Sequence, residues 1–169
     1  MPERGAKAPY RRPYNSAMEC GLRALYLLDA ARDGRNELQR LITYDYLLVH
    51  SGDIEGGPPS LHPAVPYRGG EFLVKREALR DGLDLMFSRE LIDKTHDASG
   101  IGYRANPLTA AFLALLKSEY AQNLEQRARW INAAFGGKSD RDLARYMEES
   151  IGRWGAEFDR IGAIEGLEL

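Results

Sequence analysis

A mainly α-helical chain with one small β-hairpin is what this sequence predicts, and three observations predict it. Apolar residues return at three- and four-residue intervals along most of the chain, the period of a helix with one buried face. One stretch, Asp93 to Ala105, reads as a β-hairpin. That hairpin follows a helical pattern which itself follows a short apolar strand pattern, Phe72-Leu73-Val74. Strand, helix, hairpin is the order of a winged helix. The expected fold is therefore a winged-helix-like core plus C-terminal helices. A shape of this kind serves many functions, so function is argued separately.

The elements follow in order. Residues 1–14 hold Pro2, Pro9 and Pro13 with Arg4, Lys7, Arg11 and Arg12 against Glu3, the composition of a flexible basic arm. Such an arm suits a phosphate backbone or an acidic partner, and equally a solvated tail. Ser16 with Glu19 forms a capping-box pattern, and Met18, Leu22, Leu25 and Leu28 continue it as a first helix from about Ser16 to Arg32. A second helix is expected from Asn36 to about His50, with Leu38, Leu41, Ile42, Leu48 and Val49 on one face. Asp45 falls in that apolar stripe, where a partly buried structural acceptor is commoner than a catalytic acid.

From Ser51 to Gly70 the chain is irregular, and its glycines and prolines exclude a regular element there. A loop of this length in a compact domain usually has a task, and Leu61, Val65 and Tyr67 give it anchors. It is not a nucleotide loop. Gly56-Gly57 is followed by Pro58-Pro59, which removes the amides that would cradle a phosphate, and Lys-Ser/Thr is missing.

In the third helix Leu79, Leu83, Met86 and Phe87 form a core stripe that Leu91 completes. The opposite face is the one a winged helix would turn to a DNA groove. Between Lys75 and Arg104 the charges cancel: Lys75, Arg76, Arg80, Arg89, Lys94 and Arg104 meet Glu77, Asp81, Asp84, Glu90, Asp93 and Asp97. A sequence-specific DNA reader normally carries a basic excess there.

Asn106-Pro107 caps a short, nearly all-apolar helix from Leu108 to Lys117, expected to be buried. Ser118-Glu119 starts another, with Tyr120, Leu124, Ala128, Ile131 and Phe135 as its stripe and Gly136-Gly137 as its stop. The last helix opens at Ser139 or Asp140. Met147, Trp154 and Ile161 recur every seven residues, flanked by Leu143, Ile151 and Phe158, on an acidic background. Such a helix is either a last piece of core or a docking helix, and Trp154 and Phe158 are anchors of the size interfaces use. The predicted organisation is a flexible basic arm over 1–14, a core domain over 15–137 and an amphipathic docking helix over 138–169.

The bulk numbers narrow the function classes. At 169 residues the chain buries one good core, and a net charge of −2 gives no global attraction to nucleic acid or anionic membrane. The single cysteine, Cys20, excludes an internal disulfide, and no apolar run reaches the roughly 18 residues of a membrane span. The expectation is a reduced cytoplasmic protein without a cofactor. His50, His62 and His96 show no metal-ligand spacing, no nucleophile elbow occurs, and Asp53 and Glu55 sit on a loop. An enzyme is not expected.

The order of particular residues adds a resemblance. Asn15-Ser16, Glu19 to Leu25, Leu38 to Leu41 and Asp45 to Asp53, then Gly57-Pro58-Pro59-Ser60-Leu61-His62-Pro63, Gly69-Gly70-Glu71, Ser88-Arg89, Tyr103 and Ala128-Arg129-Trp130 resemble the middle component of bacterial ABC-three-component systems. The segment from His50 to Pro63 is its specific part. These systems are similar to Lamassu-type antiphage defences, which join an SMC-like or Rad50-like ATPase, an effector (often a nuclease) and a small third subunit. The resemblance implies a non-catalytic adaptor that binds the ATPase and helps hold or license the effector. The residues expected to meet partners are Leu61, His62, Tyr67, Trp154, Phe158 and Ile161. Contact with double-stranded DNA, shared with the complex, would fall to Arg11, Arg12, Arg76, Arg80, Arg89, Lys94 and Arg104. The alternative is a stand-alone winged-helix DNA-binding transcriptional regulator.

Overall fold

Ser16 opens the first helix as the capping box requires. Its hydroxyl accepts from the Glu19 amide, and the Glu19 carboxylate accepts from the Ser16 amide at 3.1 Å. The computed structural model describes residues 15–64 and 68–150, with backbone alone over 68–74. Its elements are α1 (Ala17–Ala30), β1 (Asn36–Glu37), α2 (Leu38–Val49), a 3-10 turn (Ser51–Asp53), α3 (Arg68–Ser88), β2 (Ile92–Asp97), β3 (Gly100–Ala105), α4 (Pro107–Leu113) and α5 (Glu119–Phe135). A further helix, α6, fills 140–150. The chain is mostly helical with one three-stranded antiparallel sheet in the order β1-β3-β2.

Several expectations are corrected. Phe72-Leu73-Val74 is not a strand, because Arg68–Ser88 forms one helix. The strand that joins the hairpin comes instead from Asn36–Glu37, expected to begin the second helix. Asn36 pairs with Tyr103 and Glu37 with Gly102. The element order thus becomes helix, strand, helix, helix, hairpin, with β1 supplying the third strand of the sheet. The irregular segment also yields regular turns, at Ser51–Asp53 and again where α3 begins at Arg68.

The apolar stripes hold in part. Met18 and Phe87, expected in the core, are 51% and 45% exposed. On α1 the buried face is instead Cys20, Gly21, Ala24, Leu25, Leu27 and Leu28. The helix expected from Leu108 to Lys117 ends at Leu113, and Leu108 and Leu115 lie on the surface. Asn106 caps it as expected, its side chain accepting from the Leu108 and Thr109 amides.

Packing of α1 on α3 depends on two glycines. A Cβ at Gly82 would lie 2.5 Å from the Ala17 carbonyl oxygen and 2.6 Å from the Gly21 nitrogen, so the two backbones approach as only glycine allows. At the far end, Arg40 of α2 holds α6. Its guanidinium donates to the carbonyls of Phe135 (3.0 Å) and Lys138 (2.8 Å) and to Asp140 Oδ1 (2.6 Å). Leu143 and Met147 are buried, so the described part of the last helix is core.

Candidate partner-docking loop and the ion cluster beneath it

The irregular segment after α2 is closed at its base by two hydrogen bonds, in which the amides of Leu61 and His62 both donate to the Val49 carbonyl. Inside it, the Ser51 hydroxyl donates to the Pro59 carbonyl, and the Gly52 amide donates to the Ser60 hydroxyl. Arg127 of α5 donates to the same Pro59 carbonyl at 3.0 Å. Gly57 packs where a side chain would press on the Ser51 carbonyl and the Trp130 ring. Pro58 and Pro59 fix the remaining backbone. The outcome is a closed surface loop with its ends together, and it leaves Gly52, Glu55, Gly56, Pro59 and Ser60 exposed.

Below the loop lies a buried polar cluster that joins the helices. Arg23 Nε donates to Asp45 Oδ1 at 2.6 Å and Arg23 Nη2 to Asp45 Oδ2 at 3.0 Å, a bidentate pair. Arg23 Nη2 also reaches Asn15 Oδ1 and Cys20 Sγ, each at 3.3 Å. Lys75 Nζ of α3 lies 3.5 Å from Asp45 Oδ2 and 5.6 Å from the centre of the Tyr46 ring. The three charged side chains are almost fully buried. Burial alone would raise the Asp45 pKa, but Arg23 and then Lys75 outweigh it and hold the carboxyl below its ordinary value. Burial, seconded by Asp45, pushes the Cys20 thiol up to about 11, which leaves it unreactive.

The loop joins this cluster through two histidines and a tyrosine. Tyr46 donates to Asp53 Oδ2 at 2.8 Å, and its ring lies 4.9 Å from that of His50. His50 meets His62 edge-on at 6.3 Å. His62 Nε2 is 2.8 Å from the Tyr120 hydroxyl of α5. Burial, then the charges of Arg23 and Lys75, push the His62 pKa down to about 4, so its ring is neutral at ordinary pH.

The site residues expected from sequence are thus dispersed. Leu61 is partly buried against the core and His62 turns inward, so neither heads the exposed tip of the loop. Tyr67, Trp154, Phe158, Ile161, Arg11 and Arg12 lie outside the described residues. Of the cations expected to meet DNA, Arg76 bonds Gln39, Arg80 lies 3.8 Å from Glu77, Lys94 3.0 Å from Asp84 and Arg104 3.7 Å from Asp93. The hairpin register pairs Lys94 with Tyr103 and Asp93 with Arg104, which puts Lys94 and Arg104 on opposite faces. Arg89 is exposed near the end of α3. Lys94 and Arg104 therefore do not share a face of the hairpin.

Arg23 and Lys75 are the members of the cluster that the sequence reading missed. A signal was present: each stands in an apolar helical stripe, Arg23 four residues before Leu27 and Lys75 four before Leu79, as Asp45 stands four after Leu41. Among the described residues, no group of three or more His, Cys, Asp and Glu is placed to hold a metal ion, and no helix is long and apolar enough to cross a membrane.

Comparison with curated proteins and with solved structures gave no match. The family model for the ABC-three component (ABC-3C) system Middle Component 2 matches residues 13–157, which include the closed loop, the buried cluster and the hairpin. With most of its length inside that match, the chain belongs to the Middle Component 2 family of ABC-three-component systems.

Proposed function

We propose that this chain is a non-catalytic adaptor subunit of a Lamassu-type antiphage defence complex in the cytoplasm. In that role it binds an SMC-like or Rad50-like ATPase and helps hold or license an effector, which would be a nuclease. The observation that carries the reading is the segment from His50 to Pro63. It lies inside the family match, and it is irregular backbone that five hydrogen bonds pin over a buried ion cluster. A surface fixed in advance loses less entropy when a partner docks on it. The winged-helix-like order of elements supports a rigid platform behind that surface. Titratable groups under the loop are engaged with one another, Asp45 with Arg23 and Lys75, and His62 with Tyr120. That suits a structural role better than turnover.

A stand-alone DNA-binding regulator is the second reading, and the order of the elements favours it. The charges disfavour it, because Arg80, Lys94 and Arg104 each face a carboxylate within 4.0 Å. A gel shift with the isolated chain and duplex DNA over a salt series separates the two. The adaptor reading expects weak binding without sequence preference that disappears as salt rises. Tight, sequence-specific binding by the chain alone overturns it.

A further inference from the structure

α5 lies along the closed loop through one stripe of its surface, Tyr120, Asn123, Arg127 and Trp130, spaced by three or four residues. At the helical rise this stripe is about 15 Å long. Three of its side chains reach the loop at successive points. The Tyr120 hydroxyl meets His62, Arg127 Nη2 donates to the Pro59 carbonyl, and the Trp130 ring packs against Gly57. Tyr120 is still 43% exposed, and Arg127 and Trp130 are partly buried. Helix and loop thus form one composite surface, lined by the residue types on which interfaces concentrate their energy, with an arginine at its middle.

Arg127 differs from every other sheltered cation among the described residues. Arg23 and Lys75 are buried, Arg35, Arg40 and Lys94 are partly buried, and each of them lies within 4.0 Å of a carboxylate. Arg127 has no carboxylate within that distance among the described residues. The Pro59 carbonyl is its acceptor, and its buried Nε has none. A partly desolvated guanidinium without a counter-charge is unfavourable until an acceptor arrives. Its own helix offers none, since the residues three and four away are Asn123, Leu124, Trp130 and Ile131. Of the loop's acids, Asp53 accepts from Tyr46, and Glu55 is exposed and pairs with no described cation. These two acids, and the engagement of the next arginine, Arg129, with Glu125, disfavour a polyanion, which needs several free cations at once. A single carboxylate needs one guanidinium fork.

We propose that Arg127 is the anion receptor of the docking surface, and that another component of the same system presents a carboxylate to it from an acidic segment lying across the loop and the α5 stripe. The proposal rests on the adaptor reading above and names the chemistry of its partner. Its test is co-expression of the tagged full-length chain with the two other components of its system, followed by affinity purification. Two variants are compared with the parent chain. Arg127→Gln keeps an amide donor for the Pro59 carbonyl but drops the charge, and Arg127→Lys keeps the charge but drops the planar fork. Melting temperature and the hydrogen exchange of the Leu61 and His62 amides report whether each variant keeps its fold and its closed loop. The expected result is a loss of at least tenfold in recovery of one component with Arg127→Gln and a smaller loss with Arg127→Lys, at unchanged melting temperature and amide protection. Equal recovery from the parent and both variants overturns the proposal and leaves the adaptor reading standing. Should Arg127→Gln loosen those amides, Arg127→Lys decides, and its recovery must fall below the parent's at unchanged protection. A loss seen only where protection is also lost makes Arg127 a prop of the loop and overturns the proposal. Loss of the component from the parent chain on nuclease digestion assigns the anion to nucleic acid and overturns it as well. If the parent chain recovers neither component, the adaptor reading falls and the proposal with it.

Discussion

Asp45 carries the cluster, since two cations from different helices converge on one carboxylate. Removing that charge leaves Arg23 and Lys75 buried side by side, and breaking a buried pair in this way costs about 3–5 kcal/mol. Asp45→Asn should therefore lower the urea midpoint sharply, and a midpoint like the parent's would remove the cluster from the account of stability. His62 predicts a pH dependence. Its folded pKa of about 4 lies below its ordinary value of 6.5, so the unfolded chain binds a proton first as pH falls. Stability should fall as pH drops from about 6.5 to 4, by at most about 3 kcal/mol from this group. His62→Gln should flatten that slope in a denaturation series, and an unchanged slope would place the titration elsewhere. Glu90 shows a smaller cost. It ends α3 at φ 60°, with its amide bonded to the Phe87 carbonyl and the Leu91 amide to that of Met86, the turn that favours glycine. Glu90→Gly should stabilise the chain by about 1 kcal/mol, read as a higher melting temperature.

At the scale of elements, the contact of α1 with α3 depends on backbone proximity. Gly82→Ala would drive a methyl into the Ala17 carbonyl and the Gly21 amide, neither of which is a flexible side chain. A loss of about 1–3 kcal/mol is expected, as for overpacking elsewhere. Gly137→Ala, with nothing within 4 Å, is the matched control and should cost far less. Caps and periodicity made most helices legible: Ser16 with Glu19, Asn106 with Pro107, and the stripe from Leu124 to Phe135 all stand where the pattern put them. Phe72-Leu73-Val74 misled because three apolar residues have no period of their own, and the helix around them absorbed them. β1 was illegible for the opposite reason. Asn36 and Glu37 have no strand propensity, and their partner is a hairpin more than sixty residues away. The loop was recognisable by composition, but its closure depends on Val49 and Arg127, which no local pattern links.

For the molecule as a whole, helices from both halves of the chain meet at one buried cluster, and the irregular loop closes over it. α1 brings Arg23, α2 Asp45 and Tyr46, α3 Lys75 and α5 Tyr120. The loop is therefore held in place by helices from both halves of the chain, a form suited to holding partners. On α3 and the hairpin, Arg80, Lys94 and Arg104 are each matched by a carboxylate, which accords with membership of a multi-component system and weighs against an independent reader of DNA. The most direct measurement of that claim is the mass, by light scattering after size-exclusion chromatography, of what co-purifies with the tagged chain when all three components are expressed together. A single assembly containing the ATPase, the effector and this chain in fixed ratio is the predicted result. A chain that elutes alone while the other two components assemble without it would contradict the account.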